Sequence, residues 1–98
     1  MGLSDSELVE FLTLEAIERL GQRATAILIE QELAGMLPGE RIGTIEVDAV
    51  LISRALRHLW YAGLVARARP QPDAERVWVL TPDAAGRRRQ LRKLAAES

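Results

Sequence analysis

The chain has no cysteine and a single histidine, His58, in its 98 residues. Disulfides, thiolate metal sites and cysteine nucleophiles are thereby excluded, and a histidine zinc site lacks its second imidazole. Aromatic residues are scarce at 4%: Phe11, Trp60, Tyr61 and Trp78 are all of them. The longest uncharged run, 58–66, falls far short of the roughly 20 residues that cross a bilayer. The first residues lack the basic and apolar regions of a secretory signal. No glycine-rich phosphate loop is present. Ser53 and His58 lie five positions apart, about 140° around a helix, so they cannot pair as nucleophile and base. These absences lead to the expectation of one soluble cytoplasmic domain over 1–98. It is expected to be no enzyme and to have no catalytic residue, no metal, no cofactor and no contact with a membrane.

What the chain does have is charge, 28% of it, divided unevenly. Residues 1–50 hold three arginines and ten carboxylates; residues 51–98 hold nine arginines, Lys93 and four carboxylates. The formal net charge of −1 therefore conceals an acidic half and a basic half. A polyanion responds to the local field, so an acidic pI does not exclude nucleic acid.

Ser4-x-x-Glu7 before an apolar run is a capping box, with Leu3 and Leu8 placed as a staple. A helix is predicted from Asp5 to near Gly21. Val9, Leu12, Ala16 and Leu20 form one stripe, while Phe11 and Leu14 fall among Glu7, Glu10 and Glu18. Either the helix breaks near Thr13, or the extra apolar side meets a second chain. Thr25 caps a second helix over 26–36, with Ala26, Ile29, Leu33 and Met36 inward. The β-branched stretch 42–46 reads as a short strand. Asp48 caps a third helix over 49–62, with Ile52, Ala55, Leu56 and Leu59 inward and Gly63 closing it. The period then changes to two: 64–69 and 76–80 read as strands of a hairpin. Thr81-Pro82 restarts helix, with Thr81 as N-cap and Pro82 at the first helical position; it runs to about Ala96 with Ala84, Leu91, Leu94 and Ala95 inward.

The fold class read from this order is α+β: mainly helical, with a two-stranded wing and a C-terminal helix. Arg54-Ala55-Leu56-Arg57-His58-Leu59-Trp60-Tyr61-Ala62-Gly63-Leu64-Val65 resembles the recognition helix and first wing strand of PadR- and MarR-type bacterial regulators. Arg76-Val77-Trp78-Val79-Leu80-Thr81-Pro82-Asp83-Ala84-Ala85-Gly86-Arg87 resembles their second wing strand and the helix after it. The resemblance covers about residues 14–92. It implies a winged helix-turn-helix that binds double-stranded DNA, with the third helix in the major groove and the wing (64–80) on the backbone. It also implies a transcriptional regulator acting as a homodimeric repressor. Those families carry small or hydroxyl residues where Val50 and Leu51 stand here.

The outward side of the third helix carries Val50, Ser53, Arg54, Arg57 and Tyr61, with Leu51 and His58 on its flanks. Arg54 and Arg57 suit base edges or phosphates, and Ser53 a phosphate oxygen. Arg67, Arg69 and Arg76 on the wing suit the flanking backbone. The candidate DNA-binding set is therefore Val50, Leu51, Ser53, Arg54, Arg57, His58, Arg67, Arg69 and Arg76. Surplus apolar residues, Phe11, Leu14, Trp60, Leu91 and Leu94, form a candidate dimer interface. Trp78 is expected in the core, and the arginines of 87–92 on an open helix face. The alternative is a winged-helix module that binds a protein through Val50, Leu51 and the acidic first helix.

Overall fold

The computed structural model describes residues 2–68 and 76–97. Helix α1 (Asp5–Leu20) opens with the reciprocal cap the sequence predicts. The Ser4 hydroxyl accepts from the Glu7 amide at 3.2 Å, and the Glu7 carboxylate accepts from the Ser4 amide at 3.0 Å. Leu3 and Leu8 are both buried beside it. The helix runs unbroken through Thr13, whose buried hydroxyl donates to the Val9 carbonyl one turn back. That bond satisfies the hydroxyl inside the helix and removes the reason for a break.

Gly21 (φ +57°) ends α1, and a 3₁₀ turn, Gly21–Arg23, leads to α2 (Ala26–Met36). Thr25 caps α2 through the Leu28 amide. Ile29 and Leu33 are buried, whereas Ala26, expected inward, is exposed in the first turn. A second 3₁₀ turn, Gly39–Arg41, follows. The strand expected at 42–46 does not form. The Thr44 and Ile45 amides and the Thr44 hydroxyl all bond the Arg41 carbonyl, which closes a local turn instead of offering a ladder edge. Asp48 caps α3 (Ala49–Tyr61) by accepting from the Leu51 amide at 2.8 Å.

Helix α3 stops in a Schellman turn. The Leu64 amide donates to the Leu59 carbonyl and the Gly63 amide to the Trp60 carbonyl, with Gly63 at φ +77°. Strand β1 (Val65–Arg67) pairs antiparallel with β2 (Trp78–Leu80), so that Val65 faces Leu80 and Arg67 faces Trp78. Both strands are shorter than the sequence predicts. The Trp78 amide donates to the Ala24 carbonyl, which fastens the wing to the start of α2. Thr81 was expected to cap the last helix. Its hydroxyl instead donates to the Gly63 carbonyl at 2.6 Å, and α4 (Ala84–Ala96) begins three residues later without a side-chain cap. The described residues are thus α+β: four helices and a two-stranded antiparallel sheet, an arrangement compatible with a winged helix.

Helix α1 is the centre of the molecule and packs against α2, α3, α4 and β2. This position explains its apolar residues on two sides. Leu12, Ala16 and Ile17 and the opposite Leu14 are all buried. Among the described residues, no helix is long and apolar enough to cross a membrane.

Candidate nucleic-acid interface

Helix α3 buries Ile52, Leu56 and Leu59 and turns Val50, Ser53, Arg54, Arg57, His58 and Tyr61 to solvent; Leu51 is half-buried. A 3.6-residue period with apolar residues at 52, 56 and 59 leaves this outward ridge as the only face free of the core. The ridge separates two grooves of opposite character.

The first groove, about 440 Å³, lies between α3, the wing and the first turn of α2. Thr25, Ala26 and Ile27 line one end; Ser53, Leu56, Arg57 and Trp60 form the α3 wall; Arg67, Arg76 and Trp78 form the wing wall. Among the described residues no carboxylate lines it, and neither α2 nor α3 has an acidic residue in its first turn. Among the described residues, Arg57, Arg67 and Arg76 have no carboxylate within 4.0 Å. The Arg67 guanidinium carbon lies 5.0 Å from the Trp60 ring centroid and 5.3 Å from that of Trp78, within cation–π range of both. Direct cross-strand pairing of Arg67 with Trp78 produces this contact.

The second groove, about 460 Å³, lies on the other flank of α3, against the start of α1 and residues 44–46. Asp5, Glu7, Glu10 and Glu46 line it with Arg54 and His58, over a floor of Val9, Ile45, Leu51 and Ala55. Arg54 is therefore separated from the other candidate arginines and sits among carboxylates. His58 stands with Nε2 3.7 Å from Glu10, on the same acidic side. Arg69 lies outside the described residues.

Glu10 is a buried carboxylate, 7% exposed, and it joins three helices. Arg87 of α4 donates to it at 2.5 and 3.3 Å, and His58 of α3 faces it. The bond to Glu10 holds the Arg87 guanidinium pKa above its ordinary value, against the opposing effect of burial. At the helix start, the Ser4 amide and then its hydroxyl hold the Glu7 carboxyl below the ordinary 4.5. Arg88 pairs with Glu15 at 2.8 Å and approaches Glu18 at 3.8 Å; Arg92 reaches Glu15 at 3.3 Å. The arginines expected on an open face thus tie α4 to α1. Between them, Leu14 and Leu91 are fully buried, and Phe11 and Leu94 are half-buried against the core. For Leu14 and Leu91 the expected place at a dimer interface is corrected: both are fully buried within the one chain, where α4 packs against α1. Trp60 alone of that set is exposed, at 43%.

Among the described residues no group of three histidines, aspartates or glutamates is placed to hold a metal. Compared with known proteins, the chain matches no family model, no curated protein and no solved structure.

The sequence reading missed three contributors to the basic groove: the exposed first turn of α2, the aromatic platform under Arg67, and the role of Trp78 in it. Trp78 is in the core as expected, 9% exposed, yet its ring also serves the groove. An Arg and a Trp opposed across a hairpin are a usable signal only when the register is known. The residues between the strands, 68–77, do not fix that register from composition.

Proposed function

We propose that this chain is a winged-helix DNA-binding domain of a cytoplasmic transcriptional regulator, in line with its resemblance to PadR- and MarR-type proteins. The observation that carries the reading is the first groove. Three guanidinium groups without a carboxylate partner among the described residues converge there between an exposed helix and a wing. In this reading α3 enters the major groove, which is wide enough for a helix. Arg57, Arg67 and Arg76 then hold the backbone of one strand, Ser53 adds a hydroxyl to a phosphate, and Val50 reaches a thymine methyl. Arg54 is left to contact a base edge from the acidic flank. A homodimer would set two such helices on a palindromic site. Of the residues expected at a dimer interface, only Trp60 retains an exposed side chain for it.

The test is fluorescence anisotropy with labelled duplexes of random sequence, followed by selection of preferred sites. Binding that weakens steeply as salt rises is expected, since each phosphate contact releases counterions. No duplex binding at about 50 mM salt, low enough to favour any phosphate contact, would sink the proposal. A second reading, a protein-binding module, draws on the acidic groove beside α3 and on Val50, 58% exposed at the start of that helix. In that case Val50→Asp abolishes capture of a partner and leaves the fold intact.

A further inference from the structure

We propose that the groove between α3 and the wing is also a binding site for a small ligand of the nucleotide class, a planar base carrying a phosphate chain. The ion-pair pattern is the first support. Among the described residues, Arg41, Arg87, Arg88 and Arg92 each have a carboxylate partner, whereas Arg57, Arg67 and Arg76 share one concave space with no carboxylate in its described lining. Unneutralised guanidinium groups around a concavity call for an anion, and their planar forks match phosphate oxygens.

The aromatic content is the second support. Both tryptophans of the chain, Trp60 and Trp78, line this one groove. The Arg67 guanidinium carbon lies 5.0 Å and 5.3 Å from their ring centroids, and a guanidinium held against a ring by its π face can still donate its N–H groups to a phosphate. Trp60 keeps 43% of its surface exposed, with the Tyr61 ring 5.3 Å away, so a base has an aromatic surface on which to stack. The third support is size. About 440 Å³ falls within the range of about 300–1,000 Å³ usual for small-molecule sites. In the bound state the phosphate chain lies among Arg57, Arg67 and Arg76 and the base rests against Trp60. The same arginines then cannot hold a DNA backbone. The nucleotide is therefore a competitor of duplex; this consequence, unlike the binding itself, rests on the DNA-binding reading above.

Intrinsic fluorescence reports on the site directly, because no other tryptophan contributes. The full chain is titrated with ATP, inorganic tripolyphosphate and adenosine. Saturable quenching by ATP is expected, with tripolyphosphate binding at least about ten-fold more weakly and adenosine not at all over the same range. Arg67→Ala is expected to weaken ATP by about ten-fold or more, and Arg67→Lys, which keeps the charge but not the plane, by nearly as much. Arg89→Ala on exposed α4 leaves the response unchanged. Circular dichroism confirms that each variant is folded, and Arg76→Ala replaces any Arg67 variant that is not. Absence of a saturable ATP signal, equal affinity for tripolyphosphate, or full retention in the folded groove variants overturns the proposal. Duplex binding measured without nucleotide separates the two readings. Duplex without ATP binding removes the nucleotide site alone, and ATP without duplex binding removes the DNA-binding reading alone.

Discussion

At the scale of single residues, Glu10 decides more than any other polar group. Its carboxylate is buried, and Arg87 supplies both of its hydrogen bonds. Removing one partner of a buried pair strands the other charge, at a cost of about 3–5 kcal/mol when both are fully enclosed. The Arg87 side chain keeps 29% of its surface exposed, so Arg87→Ala is expected to cost less, about 2 kcal/mol, in urea unfolding. Replacing both partners together, Glu10→Met with Arg87→Met, should recover most of that loss, because neither charge is then left unpaired. A cost for the double variant as large as for the single would contradict this. Glu7 gives a pH signature. Its carboxyl titrates below 4.5 in the folded chain, chiefly through the Ser4 amide and then the Ser4 hydroxyl. Its contribution is therefore complete above the ordinary carboxylate value and lost as pH falls through the lowered one. Glu7→Gln should make stability fall less steeply with acid, as read by urea midpoints across that range. Identical slopes for the two proteins would show that the cap is not coupled to protonation.

At the scale of elements, the turn after α3 holds the wing in place. Gly63 lies at φ +77°, and a Cβ there would meet no atom within 4 Å. Gly63→Ala therefore tests backbone conformation alone, with an expected loss of about 1–2 kcal/mol. Thermal unfolding measures it; an unchanged midpoint would mean that the turn reopens without cost. Elements of this kind were legible in the sequence where their causes are local. Ser4, Thr25 and Asp48 each bond an amide three residues ahead, so their helices could be placed from the sequence. Features whose partners lie far along the chain were not. Thr81 reads as a cap, but its hydroxyl goes to Gly63, 18 residues away. The stretch 42–46 has strand-forming residues and no strand to pair with. Phe11 and Leu14 look like surplus only until α4 folds back over them. The Arg67 platform depends on the hairpin register and on Trp60 of another element. The candidate site was thus legible as a set of exposed side chains on α3, and its division into two grooves was not.

At the scale of the whole molecule, the acidic and basic halves of the sequence do not become two opposite faces. Arg87, Arg88 and Arg92 lie against Glu10 and Glu15, so much of the charge of α4 and α1 is neutralised between the helices. The division that survives runs along α3. Its wing side is lined by Arg57, Arg67 and Arg76; its α1 side is lined by Asp5, Glu7, Glu10 and Glu46. A helix lying in a major groove has a phosphate backbone on each flank, so one flank attracts and the other repels. Within the DNA-binding reading, Arg57→Ala and Arg76→Ala should each flatten the salt dependence of duplex binding by about one unit of slope. Arg54→Ala should change the slope less, because Arg54 shares its groove with Asp5, Glu7, Glu10 and Glu46, whose field opposes phosphate binding there. Glu46 is exposed on the repelling flank and has no cationic partner within 4.0 Å among the described residues. Glu46→Gln should therefore raise duplex affinity about two- to three-fold near 0.1 M salt, where screening extends over roughly 10 Å. The gain should vanish near 1 M, where that length falls to about 3 Å. Anisotropy titrations across this range check both halves of the argument. A gain that persists at high salt would mean that Glu46 acts by contact. No gain at any salt would place the second DNA strand beyond the reach of the acidic groove, leaving the wing side alone to carry the interaction.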